Sequence, residues 1–134
     1  GALFDVLFEH NVMLVGTILK ASMIIPGKDC PQQADVEEVA DFTVQCLKSA
    51  VPAVLPGIVF LSGGQSDDDA TAHLNEMNKS ENLPWPLSFS YGRAMQSAAL
   101  KIWGADIVNN IAEAQKTVYA RAKDNGLAAR GEWQ

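Results

Sequence analysis

Three short apolar runs, each followed by a polar or glycine-bearing turn and then an apolar stripe of helical period, set out the plan of this chain. Ahead of them, Leu3, Phe4, Val6, Leu7 and Phe8 predict the end of a helix packed on a core, closed by a turn at Asn11. Val12 to Leu19 is rich in Val, Leu, Ile and Met and predicts the first strand, with Lys20 at its end. A loop centred on Pro26-Gly27 follows. Asp35 to Ser49 predicts a helix in which Asp35 is the N-cap and Glu38 completes a capping box. Its stripe is Val36, Val39, Ala40, Phe42, Thr43, Cys46 and Leu47, and Pro52 and Pro56 end the unit.

The second unit starts at Ile58-Val59-Phe60-Leu61, an unbroken apolar run of the kind found in strands covered on both faces. Ser62-Gly63-Gly64 is its loop, and Ser66 caps a helix running to about Asn78, with Asp67, Asp68 and Asp69 at the positive helix end. The third unit is Leu87-Ser88-Phe89, a Ser90-Tyr91-Gly92 turn and a helix from about Arg93 to Trp103. A last helix is expected from Ile107 to about Asn125, with Gly126 as its C-cap.

Three strand–loop–helix units in succession predict an α/β fold with parallel strands, either a doubly wound sheet or a piece of an eight-fold barrel. In both, ligands gather at the carboxyl ends of the strands, where Lys20, Ser62-Gly63 and Ser90 to Arg93 all fall. The chain opens on Gly1, inside what reads as an amphipathic helix with no cap before it. Residues 1–134 are therefore expected to be one partial domain of a longer protein.

Composition narrows the choice of function. At 48% hydrophobic and 19% charged residues, the chain is ordinary for a globular domain. A net charge of −6 with scattered basic residues argues against a nucleic-acid surface. No apolar run reaches membrane-spanning length, so no membrane insertion is expected. Cys30 and Cys46 lack CxxC spacing and read as reduced thiols of an intracellular protein. His10, His73 and the two cysteines are too dispersed for a metal centre, and Ser62 has no histidine partner at a strand end. Trp85, Trp103 and Trp133 read as packing residues.

The chemistry then rests on Lys20. A lysine ending an apolar strand either reaches solvent or is held where its neutral amine attacks carbonyls. Ser62-Gly63-Gly64 and Tyr91-Gly92-Arg93 are shaped like phosphate-holding turns, although glycines also simply permit tight turns. Neither has P-loop or dinucleotide spacing. A phosphate site beside a strand-end lysine points to a phosphorylated sugar whose carbonyl forms an imine with the amine. The protonated imine draws electrons and makes a neighbouring carbon–carbon bond breakable.

At these residues the chain resembles the class I, Schiff-base fructose-bisphosphate aldolases. The match runs through Gly16 to Lys20, Met23 to Gly27, Leu-Ser-Gly-Gly-Gln-Ser at 61–66 and Phe-Ser-Tyr-Gly-Arg at 89–93, and continues to Trp103-Gly104 and Ala120 to Lys123. The resemblance implies an eight-stranded β/α barrel of which this chain supplies the last three strands and following helices. It implies Lys20 as the imine-forming lysine. Ser62, Gly63, Gly92 and Arg93 would hold the phosphate on the ketose end, with Leu61 and Ser90 lining the site. It implies a sugar bisphosphate substrate, no cofactor, a homotetramer, and a cytoplasmic or plastid location. The chain departs from the family where Ala21-Ser22 replaces the usual Pro-Asn or Pro-Ser after the lysine, and where Val15 stands for a common glutamate. The family's aspartate, further lysines and glutamates, and its tail tyrosine have no counterpart in this stretch. The fragment alone is thus expected to be inactive, and an aldolase-like surface that binds a protein partner is the alternative role.

Overall fold

The computed structural model describes residues 1–134. Its centre is a sheet of three parallel strands, β1 (Leu19–Ala21), β2 (Ile58–Phe60) and β3 (Leu87–Phe89), in the order β1-β2-β3. The register pairs Lys20 with Val59 and Val59 with Ser88. Five helices accompany it: α1 (Ala2–Glu9), α2 (Val36–Ala50), α3 (Asp67–Lys79), α4 (Arg93–Ala105) and α5 (Ile111–Ala128). The sheet therefore has the three successive βα units that the apolar pattern predicts.

Local chemistry sets most of the boundaries. The Asp35 carboxylate accepts from the Glu38 N–H at 2.8 Å and Glu38 accepts from the Asp35 N–H at 3.2 Å, so α2 starts on a complete capping box. Ser66 Oγ accepts from the Asp69 N–H at 3.1 Å and starts α3. The core lies between the sheet and α2 and α3, where Val39, Ile58, Phe60, Leu74, Met77 and Leu87 are almost wholly buried. Each such side chain contributes about 1.5–3 kcal/mol by leaving water. Trp85 is buried too, its indole N–H donating to Pro52 O at 2.9 Å.

Several expectations are corrected. Residues 12–18 are not strand: nothing pairs with β1 ahead of Leu19, whose N–H reaches Gly57 O at 3.3 Å, and Leu14–Gly16 instead closes a 3₁₀ turn. Lys20 consequently lies in the middle of a three-residue strand rather than ending a long one. The sheet is covered by helices on one face only, since Ile58 and Phe60 are fully buried while Val59 between them is half-buried. The last helix starts at Ile111, because the Asp106 carboxylate accepts from the N–H groups of Val108 and Asn109 and bends the chain between α4 and α5. It runs past Gly126 because Asn125 and Ala128 are both packed into the core, and the chain reverses at Gly131 instead. There φ is +69°, and a Cβ would sit 3.0 Å from Asn78 O.

Helical stripes shift by small amounts for the same reason. Val44 is buried in α2 while Phe42 and Cys46 are exposed. In α1 only Phe4 packs against the core. Trp103 is not a core residue: it stands 46% exposed on a groove of about 860 Å³ between α4 and α5, nine of whose eleven lining residues are hydrophobic. No helix is long and apolar enough to cross a membrane.

Candidate functional site at the strand ends

Strand alternation sorts the site residues. Leu19 and Ala21 pack toward the helices, so Lys20 points to the opposite, open face of the sheet, in one row with Val59 and Ser88. Lys20 is exposed there. Backbone pairing continues beyond the strands, with Leu61 N–H on Ala21 O at 3.0 Å and Ser90 N–H on Phe60 O at 2.8 Å. Two residues past Val59 and Ser88, Leu61 and Ser90 thus return to the face that carries Lys20.

Beyond the strands the chain turns into the helix starts. Gly64 has φ +89°, and a Cβ there would lie 2.8 Å from Ile25 Cδ1; at Gly63 it would lie 2.7 Å from Leu61 Cδ1. The left-handed backbone makes glycine the residue the turn requires at 64, whereas at 63 the close neighbour is the far end of a flexible leucine side chain. Gly92 differs: its φ is −91° and a Cβ would meet nothing within 4 Å. The fold does not demand a glycine at 92. As N-cap of α4, Gly92 provides no side-chain cap, and the first turn of α4 opens toward Ser62, whose Oγ lies 3.4 Å from the Ala94 nitrogen.

A cleft of about 340 Å³ lies at these helix starts, lined by Lys28, Ser62, Gly64, Gln65, Asp67, Arg93 and Ser97, with no hydrophobic residue among them. It joins Ser62 with Arg93, as expected from the sequence. Lys20, Leu61, Gly63, Ser90 and Gly92 do not line it. Lys28, Gln65 and Ser97 were missed: Lys28 lies in a loop whose contacts no periodicity reveals, whereas Ser97 is one helical turn beyond Arg93 and could have been read from that spacing.

Arg121 of α5 fixes the walls of this cleft. It is buried, and it donates to Ala94 O at 3.0 Å, Asp67 O at 2.6 Å, Thr71 Oγ1 at 2.8 Å and Asp68 Oδ1 at 2.9 Å. One guanidinium thereby ties the first turn of α3 to the first turn of α4. The contact with Asp68, whose side chain is 84% exposed, adds little beside the carbonyl bonds made away from water. Tyr91 completes the bracing: it is buried against α3 with its hydroxyl donating to Ala70 O at 2.8 Å, and burial pushes its phenol well above its usual range despite nearby Arg121.

Gln65 links the cleft to the core through Nε2, which lies 3.0 Å from Met23 Sδ and 2.9 Å from His73 Nδ1; its buried Oε1 has no partner. Burial lowers the His73 pKa below the usual 6.5, and the Asp69 carboxylate partly offsets this. The sign of the consequence follows. As pH falls through about 6.5 the unfolded chain takes up a proton at this histidine while the folded chain does not, so stability is full above 6.5 and declines from there toward the lowered folded value. His73→Gln is expected to flatten that part of the acid limb, read as the urea midpoint on acidification below about pH 6.5. Parallel slopes in the two proteins would contradict a buried neutral His73.

The parallel strands, the glycine turns that follow them and an all-polar cleft holding Lys28 and Arg93 beyond the carboxyl ends of the sheet define a parallel β/α protein. Comparison with known proteins makes this specific. The family model of class-I fructose-bisphosphate aldolase matches residues 1–134, and the chain belongs to that family. A protein of Xanthomonas campestris named probable fructose-bisphosphate aldolase class 1 is 68% identical over 133 residues, covering 99% of this chain and 40% of the relative. An Arabidopsis thaliana protein named fructose-bisphosphate aldolase 5, cytosolic, is 48% identical over 134 residues, covering 99% of this chain and 37% of the relative. Among solved structures, Plasmodium falciparum fructose-bisphosphate aldolase, in a ternary complex with TRAP and a small-molecule inhibitor, superposes with a TM-score of 0.94 at 40% identity, covering 98% of this chain and 38% of that one. The chain spans about 40% of the length of the curated relatives it matches.

Proposed function

We infer that this chain is the carboxyl-terminal part of a barrel that cleaves fructose 1,6-bisphosphate reversibly to dihydroxyacetone phosphate and glyceraldehyde 3-phosphate. The observation that carries this is the meeting of Ser62 and Arg93 in one all-polar cleft beyond the carboxyl ends of β2 and β3, in the sheet whose open face carries Lys20. The Lys20 amine adds to the ketose carbonyl carbon, water leaves, and a protonated imine forms. A base removes the proton of the C4 hydroxyl, the C3–C4 bond breaks, and its electron pair moves into the imine to give an enamine and the free aldehyde. Protonation at C3 and hydrolysis then return Lys20 and release the ketose phosphate.

Each candidate residue has a place in this scheme. Arg93 offers a fork of donors to a phosphate on the ketose end, Ser62 a hydroxyl, and Gly63 and Gly92 their backbone N–H groups. The open space at Gly92 supports this role, because an anion can approach the start of α4 where a side chain would stand in the way. Leu61 and Ser90 line the face beside Lys20. The base and acid come from the rest of the longer protein. The uncovered apolar groove between α4 and α5 and the bare second face of the sheet suit a chain that is one part of a closed barrel. The active form is a cytoplasmic or plastid homotetramer with no cofactor.

The full-length protein carrying this chain is expected to cleave the bisphosphate undiminished in the presence of a metal chelator. The 134 residues alone should be slower by at least the roughly 10²–10⁴-fold worth of positioned proton transfer. Full activity of the isolated chain, or a chelator-sensitive parent, would overturn the reading. The complex of the Plasmodium aldolase with TRAP favours a second role, binding of a partner at an aldolase-like surface. Retained partner binding by a Lys20→Met parent that no longer cleaves substrate would separate the two.

A further inference from the structure

We propose that Lys28 is a second cationic ligand of the substrate phosphate and sets the preference for a doubly charged phosphate in the cleft. The proposal rests on the reading of that cleft as the phosphate site. Lys28 and Arg93 line the same cleft, and neither takes part in any of the three ion pairs of the structure. In a chain with 16 acidic and 10 basic residues, two cations that share one cavity and form no ion pair within the chain mark a place suited to an anion. Asp67 is the one acid in the lining, and it is the first residue of α3, where the partial positive charge of the helix start offsets it.

The charge arithmetic calls for the second cation. A phosphate monoester carries about −1.5 to −2 at neutral pH, so Arg93 alone leaves it half neutralised. The backbone that carries Lys28 is also held in place. It lies in a turn in which the Cys30 N–H donates to Gly27 O at 3.0 Å, and the Gln33 amide braces that turn by donating to Gly27 O at 3.3 Å and Cys30 O at 2.7 Å. The long β1–α2 loop is pinned upstream as well, where the Ile24 N–H donates to Thr43 Oγ1 at 2.9 Å. A lysine on a braced loop reaches a phosphate as a mobile point charge, complementing the fixed fork of Arg93.

The test uses the full-length protein carrying this chain, with Lys28→Met and Lys28→Arg variants. Inorganic phosphate is titrated directly by calorimetry, and KM and kcat are measured for fructose 1,6-bisphosphate and for fructose 6-phosphate, which lacks the ketose-end phosphate. Lys28→Met should weaken phosphate binding and raise KM for the bisphosphate by about tenfold, with the penalty on KM larger than that on kcat. It should flatten the salt dependence of phosphate affinity, leave fructose 6-phosphate much less affected, and be largely recovered by Lys28→Arg. Phosphate affinity within about twofold of the unsubstituted protein, or a loss that arginine does not recover, overturns the proposal. Phosphate binding that depends on Lys28 in a protein without aldol cleavage would keep the proposal and sink the functional reading. Normal cleavage with phosphate binding indifferent to Lys28 would do the reverse.

Discussion

Lys20→Met in the full-length protein is expected to lower kcat for fructose 1,6-bisphosphate cleavage by about 10⁴-fold or more, in line with removal of other covalent nucleophiles. Methionine keeps the length and the aliphatic stem but has no amine, so no imine forms and the carbon–carbon bond loses its electron sink. The protein itself should be as stable as before. Lys20 is exposed on the open face of the sheet and its side chain makes no hydrogen bond or ion pair within the chain. Stopped-flow or coupled assays give the rate, and thermal unfolding gives the control. A variant that keeps more than about a hundredth of the activity would remove Lys20 from the chemistry.

The next largest effect belongs to Arg93. Arg93→Ala should raise KM for the bisphosphate about ten- to a hundred-fold, the worth of one charge-assisted hydrogen-bonding group at about 1.5–3 kcal/mol. On a ketose lacking the ketose-end phosphate the penalty should be much smaller, and Arg93→Lys should restore charge without the bidentate fork, recovering only part of the loss. Equal damage to both substrates would make Arg93 a structural residue. The structure argues against that outcome, because the Arg93 side chain is exposed in the cleft, whereas bracing of the helix starts is done by buried Arg121.

Arg121 also illustrates what the sequence could and could not convey. Wherever one residue's chemistry decides a boundary, reading the residues sufficed: the Asp35–Glu38 box starts α2, Ser66 starts α3, and β3 runs from Leu87 to Phe89 as expected. Wherever a distant segment decides, it did not. A strand over 12–18 had the right composition, but a strand exists only where a neighbour accepts its hydrogen bonds, and here pairing begins at Leu19. Gly126 had the right identity for a helix stop, yet burial of Asn125 and Ala128 against α3 and its surroundings carries the helix onward. Trp103 is apolar and helical but faces a groove that nothing in this chain fills.

The candidate site divides along the same line. Ser62 and Arg93 were legible because a loop glycine and a helix start are local signatures, and both do line one cleft. Lys28 was not, because its place depends on how the long loop between β1 and α2 is tied to Thr43 and braced by Gln33. The position of Lys20 was misjudged: it is the middle of a short strand, which puts it on the open face rather than at a strand tip.

The most direct test is to incubate the full-length protein with dihydroxyacetone phosphate, reduce with borohydride, and locate the adduct by peptide mass spectrometry. Reduction turns the imine into a stable secondary amine, so the label records which nitrogen attacked the carbonyl. The adduct is expected on Lys20, with activity lost in proportion to labelling and with the Lys20→Met protein unlabelled. An adduct on Lys28 or any other lysine, or no adduct in a protein that cleaves the bisphosphate, would contradict a Schiff base at Lys20.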